Sequence, residues 1–446
     1  MSRFCEFDIE NGTLFVPFQA NAAAFERVCD ELRTRVPRVV DATGVGELVL
    51  ATQTAMHGDG GTPLMLALVT EAVSRLGADG VAELIAALPQ MAAAVQSDLV
   101  TIDASLLRFV RQGEHVEQRW PRRAVFACIS ASVFGLWHRA SRLQLFLLFG
   151  KACQYDAEAA KLRMIVHYLF RVAVMPRDER AAFDAQHVVV SRRNLRALVN
   201  DADLDWATSP VVLRASQLSI VNDGGIEDAA GALQADFANR FIGGGVLSGG
   251  NVQEEIRFSV SAECLIALLV HEPMGDEETI QIRGTSRFSR YVGYGHTLAF
   301  DGDLVDPHGN ESVIACMDAN DYRRGGAELQ FTESRFKREL QKVYTAVHGA
   351  SADRFATGNF GCGVFLGHAP HKALLQWMAC AKAGLHVLYF PFRTRGVEEG
   401  LTQIRAALDG ATIGRAYEIL LEYEEHVRKQ GELQPFADFV EDRCNV

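Results

Sequence analysis

A chain of 446 residues is long enough for two or three domains, and 48% hydrophobic with 22% charged residues is the composition of an ordinary globular protein. A formal net charge of −12 excludes loose binding of nucleic acid through a broad basic face; an anionic ligand has to be held locally, by backbone N–H groups and a few arginines. Nine cysteines, an odd number without a CxxC pair, are scattered at Cys5, Cys29, Cys128, Cys153, Cys264, Cys316, Cys362, Cys380 and Cys444, which implies free thiols in a reducing compartment.

The N-terminus carries Glu6, Asp8 and Glu10 and does not read as a secretory signal. Asn21 can cap a helix with Ala24, Phe25, Val28 and Leu32 on one face. The stretch from Pro63 to Gln96 is rich in Ala, Leu and Met, broken by Gly77 and Gly80. Val125–Trp137 is the longest apolar run, too short to span a bilayer, and it meets His138 and Arg139. With Leu143–Leu148 it reads as buried helix, and Ala157–Val174 as another. Arg122-Arg123 reads as a solvated pair. His57, His115, His138 and His167 stand isolated, without metal-ligand spacing. Residues 1–195 are therefore expected to form a helical region without a ligand constellation.

The period changes near residue 196. Leu218–Asn222, Leu233–Ala238, Thr279–Ile282, Val313–Asp318 and His386–Phe392 read as strands, with helices at Ser334–His348, Lys372–Ala383 (stopped by Gly384) and Thr412–Lys429. Strands alternating with helices imply an α/β layered domain over residues 196–446. After Leu233–Ala238 comes Gly243-Gly244-Gly245-Val246-Leu247-Ser248-Gly249-Gly250-Asn251-Val252-Gln253-Glu254-Glu255. Five glycines in eight residues permit φ > 0 and close approach of backbone to a ligand. No Lys-Ser or Lys-Thr follows, so this is not a Walker loop, and the glycine spacing is not that of a dinucleotide fingerprint. Ile256, Phe258 and Val260 then alternate as in a strand, before an apolar helical run from Ala262 to Val270.

A second glycine-rich loop, Gly358–Gly367, precedes the helix near Lys372 and suits a diphosphate at a helix start. Gly361, Gly363 and Gly367 nearly fit a Rossmann loop, but no Asp or Glu occurs between His368 and Val397 to hold a ribose, which weighs against a redox dinucleotide. Tyr291, Tyr294, Phe390 and Phe392 at strand ends are candidates for nucleoside stacking.

The first loop resembles the GGG-x(6–8)-QEE motif of the poly(ADP-ribose) glycohydrolases. Its spacer, Val246–Val252, is seven residues long, and the flanks Asp236-Phe237-Ala238-Asn239 and Ile256-Arg257-Phe258 agree. The resemblance continues faintly in Lys161–Val174. The second loop is similar to the family's Ala-Thr-Gly-Asn loop, with departures at Phe360, Leu366 and His368. The resemblance implies an α/β macrodomain, a three-layer mixed sheet with helices on both faces, plus an N-terminal helical accessory region. It implies hydrolysis of the ribose–ribose O-glycosidic bonds of poly(ADP-ribose), with release of ADP-ribose, and no metal or cofactor. It places Glu255 as general acid/base and Glu254 as the clamp on the ribose hydroxyls. It places Ile226 and Glu227 at the adenine, Tyr294, Phe365 and Phe392 along the ADP-ribose cleft, and Asp236, Asn239, Gly243, Gly244, Gly245 and Gln253 about the first loop. Asn359, Gly361 and Gly363 fall at the diphosphate. Partners implied are the polymer and poly(ADP-ribosyl)ated proteins, with no membrane and no sequence-specific nucleic acid. A monomer in the nucleus or cytoplasm, acting in the DNA damage response, is the expectation.

Most glycosidases place two carboxylates on opposite sides of the sugar. Side chains of adjacent glutamates are expected to diverge, so one carboxylate should act as both acid and base, with repulsion and burial keeping one of the two protonated. Two alternatives stay open from the residues: an ADP-ribose reader without turnover, and a hydrolase for mono-ADP-ribosylated protein. An intact Gln253-Glu254-Glu255 counts against the reader.

Overall fold

The computed structural model describes residues 21–58, 62–138, 141–304, 312–392, 394–429 and 434–445. Cys5, Glu6, Asp8, Glu10 and Arg139 lie outside the described residues. The chain starts as helices: α1 (Ala22–Arg35), α2 (Ala42–His57), α3 (Pro63–Ser74) and α4 (Gly77–Ser97). Their boundaries follow local chemistry. The Asn21 side chain accepts from the Ala24 N–H, Asp41 caps α2, and Thr62 caps α3 ahead of Pro63. Gly77, at φ +74°, makes the break between α3 and α4, whereas Gly80 lies inside α4. Residues Gly77–Thr101 are long and apolar enough to cross a membrane. Here Leu84, Leu88, Met91 and Val95 are buried in the core.

Next come β1 (Val116–Pro121), α5 (Arg122–Val133), α6 (Leu145–Ala152), α7 (Asp156–Ala173), α8 (Arg177–Asp184) and β2 (His187–Asn194). The later elements are β3 (Leu218–Ile220), β4 (Leu233–Ala238), α9 (Gln253–Val260), β5 (Glu278–Thr285), β6 (Ser289–Val292), β7 (Ala299–Asp303), β8 (Ser312–Asp318) and α10 (Glu333–Val347). After them come β9 (Arg354–Gly358), α11 (Ala369–Ala383), β10 (His386–Phe390), α12 (Arg395–Ala407), α13 (Ile413–Lys429) and α14 (Phe436–Cys444). Eight strands form one mixed sheet in the order β1-β2-β5-β8-β4-β9-β10-β3. The β1-β2-β5-β8 side is antiparallel; β8, β4, β9, β10 and β3 run parallel. A separate hairpin pairs β6 with β7.

The sheet lies between two cores, as the alternation along β8 shows. Ile314 and Cys316 join a core with Ile280, Ile282 and the N-terminal helices. Ala315 and Met317 join the other, with α10, α11 and the C-terminal helices. The helices expected at Ser334–His348, Lys372–Ala383 and Thr412–Lys429 are present within a few residues, and Gly384 stops α11 at φ +77°.

Three expectations are corrected. Residues 1–195 are not all helical, because β1 and β2 lie within them and the sheet crosses the 195/196 boundary. Ile256, Phe258 and Val260 do not form a strand. They sit on α9, which is buried from Glu254 through Val260 with Arg257 and Ser259 included, so polar residues do not mark an exposed face and the helical period is hidden. Arg122 is not solvated. It is fully buried, ion-paired to buried Glu263 at 3.1 Å, and donates to the Gly284 carbonyl and the Ser286 hydroxyl.

Candidate active site

The parallel strands β4, β8, β9 and β10 end along one edge of the sheet. The first glycine loop follows β4, the second follows β9, and Pro391-Phe392 follows β10. Ligands of open α/β sheets bind outside the carboxyl ends of the strands, and the sequence-predicted residues collect there.

The first loop is folded around its two glutamates. Glu254 accepts from the N–H groups of Asn239 (2.8 Å) and Gly243 (2.6 Å). Glu255 accepts from Gly245 (2.8 Å) and from Val252 (3.0 Å), the latter as a capping-box bond at the start of α9. All four carboxyl oxygens thus receive a backbone N–H. Glycine is required here for two reasons. Gly243 and Gly244 have φ of +83° and +49°. A Cβ on Gly244 would also run into oxygens of both glutamates, and one on Gly250 into the Glu255 carboxyl. The two carboxylates therefore converge on Gly244 and do not diverge, which corrects the expectation from adjacency.

Gln253 ties this unit to the sheet. Its Oε1 accepts from the Phe237 N–H at 2.8 Å and its Nε2 donates to the Ala235 carbonyl at 3.0 Å. The Asn239 side chain accepts from the Phe241 N–H, forming a turn. Asp236 is fully buried opposite Cys316 in the β4–β8 register. It is an inner neighbour of the glutamates and presents no surface to a ligand.

Burial raises the Asp236 carboxyl to about 7, against the pull of Arg257. Burial, then Asp236 and Glu255, push Glu254 well above the usual carboxylate range, although two backbone N–H bonds oppose this. The carboxyl held up is thus that of Glu254, the residue expected to clamp the ribose.

The N-terminal helical region reaches into the site, and sequence reasoning missed this. On α7, Lys161 Nζ donates to the carbonyls of Gly245 (3.3 Å), Ser248 (2.9 Å) and Gly250 (2.5 Å). Glu158 accepts from Asn251 Nδ2 at 3.3 Å. Arg142 donates to the carbonyls of Phe241 and Ile242. The available signal was a lysine among the apolar residues of a buried helix. His167 is not isolated: its ring nitrogens face Glu83 (3.0 Å) and Asp303 of β7 (2.9 Å), tying α7 to the β6–β7 hairpin. Among the described residues, no group of three or more His, Cys, Asp or Glu could hold a metal.

That hairpin supplies one wall. Tyr291 donates to Glu227 Oε1 at 2.5 Å, and Ile226 is buried beside it in the sequence. Tyr294 and Phe392, 40% and 69% exposed, have ring centroids 5.1 Å apart. The backbone next to Tyr294 is anchored to the first loop, since Gly295 N–H donates to the Asn251 carbonyl. In the second loop, Asn359 is engaged internally. Its Nδ2 donates to the Pro391 carbonyl and its Oδ1 accepts from the Tyr389 hydroxyl. Gly361 has φ +70°, and a Cβ there would strike Ala319, whereas Gly363 has open space around it. Phe365 is half-buried, with the Arg323 guanidinium 5.3 Å from its ring centroid.

Residues 204–399 match the family described as poly(ADP-ribose) glycohydrolase, macro domain fold. The chain is 29% identical over 274 residues to poly(ADP-ribose) glycohydrolase 2 of Caenorhabditis elegans, covering 57% of this chain and 54% of that protein. It is 27% identical over 346 residues to poly(ADP-ribose) glycohydrolase 1 of Arabidopsis thaliana, covering 60% and 61%. It is 35% identical over 179 residues to poly(ADP-ribose) glycohydrolase 1 of Caenorhabditis elegans, covering 35% and 23%. The matches thus span little more than half the length of the first two relatives.

Proposed function

We propose that this chain hydrolyses the ribose–ribose O-glycosidic bonds of poly(ADP-ribose) and releases ADP-ribose, a reading supported by the match of residues 204–399 to the family described as poly(ADP-ribose) glycohydrolase, macro domain fold. The observation that carries the reading is the pair of buried, adjacent carboxylates converging on Gly244, with every oxygen held by a backbone N–H. A module that only binds ADP-ribose has no use for two carboxyl groups packed at such cost in desolvation.

In this reading the polymer's terminal ADP-ribose lies along the strand ends. Its adenine is near Ile226 and Glu227, its diphosphate on the second loop, and its distal ribose over Gly243–Gly245. Cleavage breaks the bond between the anomeric carbon and the 2′-oxygen of the preceding unit. Glu255 gives its proton to that leaving oxygen, the oxocarbenium-like centre takes up water, and Glu255 recovers a proton from the water. Glu254, fixed by Asn239 and Gly243, orients the ribose hydroxyls. The raised carboxyl of Glu254 favours a second reading of the roles, with Glu254 as the proton donor and Glu255 as the clamp.

The test is incubation with defined polymer and, separately, with mono-ADP-ribosylated protein, resolving products by chromatography. Free ADP-ribose from polymer is the expected result. Release only from the mono-modified protein, or binding without release from either, would replace this reading with one of its alternatives. Single-turnover rates of Glu254→Gln and Glu255→Gln decide the roles, since the acid/base variant loses the chemical step even at saturating polymer.

A further inference from the structure

We propose that Lys161 is a positioning residue of this site: its ammonium, seated beneath the first glycine loop, fixes Gly245–Gly250 around Glu255. The inference rests on the proposed hydrolytic reading for its kinetic consequence, but on geometry alone for the hold itself. Lys161 comes from α7, some eighty residues before the loop, and its side chain is fully buried. A buried ammonium has three donors to satisfy, and here each finds a carbonyl, of Gly245, Ser248 and Gly250. Those three residues bracket the turn that supplies the Gly245 N–H to Glu255. Gly245 and Gly250 also close on each other, with the Gly250 N–H donating to the Gly245 carbonyl at 3.1 Å. Lys161 therefore draws together the two ends of the segment that encloses the Glu255 carboxyl.

The same ammonium faces Glu255 as a positive charge in a buried setting. The charged groups acting on it are Glu255 from α9 and Glu158 one turn earlier on its own helix. Farther along α7, Arg163 and His167 are engaged by Glu83 of α4, and His167 also by Asp303. Burial lowers Lys161 to about 8, with Glu255 and Glu158 pulling the other way. Below that pH the residue has three donors and a charge; above it the neutral amine has two donors and none.

Three measurements test this. Lys161→Met keeps the length of the side chain without donors or charge. Polymer turnover should fall about 10²-fold, the usual consequence of a small misplacement of a reacting group, while ADP-ribose affinity by calorimetry stays near that of the unmodified chain. The alkaline fall in turnover centred near pH 8 should be present in the unmodified chain and absent in Lys161→Met. Hydrogen exchange of residues 243–252, corrected for intrinsic rate, should lose protection in the unmodified chain as pH passes 8, which needs no variant to fold. Unchanged turnover in Lys161→Met, or loop protection indifferent to both the variant and pH, would overturn the proposal. An unmodified chain that never cleaves polymer would sink the hydrolytic reading instead, and the exchange data would still judge the hold of Lys161 on the loop.

Discussion

The two glycine loops look alike in sequence and are built for opposite purposes. In the first, the space a Cβ would fill at Gly244 and Gly250 is taken by carboxyl groups, and the loop carbonyls are taken by Lys161. In the second, Gly361 is tight against Ala319 and Gly367 against the Gly361 backbone, but Gly363 is open, and Val364 and Leu366 are exposed. One loop is filled by its own side chains; the other leaves its middle open. The number of glycines says nothing about which is which. The occupant of the missing side chain's space does.

The contrast predicts a descending series of effects. Glu255→Gln should be the most damaging to chemistry, lowering turnover by about 10²–10⁴-fold with ADP-ribose still bound. The amide cannot accept from both Gly245 and Val252, so a crystal structure or exchange data must accompany the rate; near-normal turnover would end the acid/base assignment. Gly244→Ala should come next. It sets a Cβ against two carboxyl groups at φ +49° and should cost about 1–3 kcal/mol of stability by denaturant melt. A tolerated alanine there would show that the first loop is looser than its packing indicates. Tyr294→Ala and Phe365→Ala should each weaken ADP-ribose binding by about 1–3 kcal/mol in calorimetry, through lost aromatic burial. If neither does, the cleft lies elsewhere. Gly363→Ala should be the mildest, within about 0.5 kcal/mol in stability, because a Cβ there meets nothing. A large loss in that variant would erase the difference between the loops.

Much of the C-terminal half was legible in the sequence because its elements are regular. β4 and β8 are compact apolar runs, α10 has one apolar face, and Gly384 marks a helix end. Two internal strands, β2 and β9, were harder. β2 carries Val188-Val189-Val190 but continues through Ser191, Arg192 and Arg193, and only Glu278 and the carbonyls of Glu272 and Pro273 explain a fully buried Arg192. β9 was hidden because it runs directly into the second glycine loop. In the site, the glutamates and the loop that holds them were legible from the motif. Asp236, Gln253 and Asn359 were expected at the ligand, yet their side chains are engaged or buried within the protein. Lys161, Glu158 and Arg142 were not foreseen, because their partners lie eighty to a hundred residues away and the lone lysine of a buried helix does not say what it meets.

The crossing of the sheet over the 195/196 boundary bears on how the protein can be cut. The family-matched span, 204–399, contains the glutamates and both glycine loops, but not β1 or β2. Excising it would bare the β5 edge, from Thr279 to Arg283, as a row of unpaired peptide groups in a strand whose Ile280 and Ile282 would have lost their cover. Such an edge recruits other chains, so a fragment trimmed to the recognisable motif should precipitate or pair with itself, whereas the chain from Ala22 onward keeps the strand partnered. The matched span is thus shorter than the unit in which β5 is partnered on both sides.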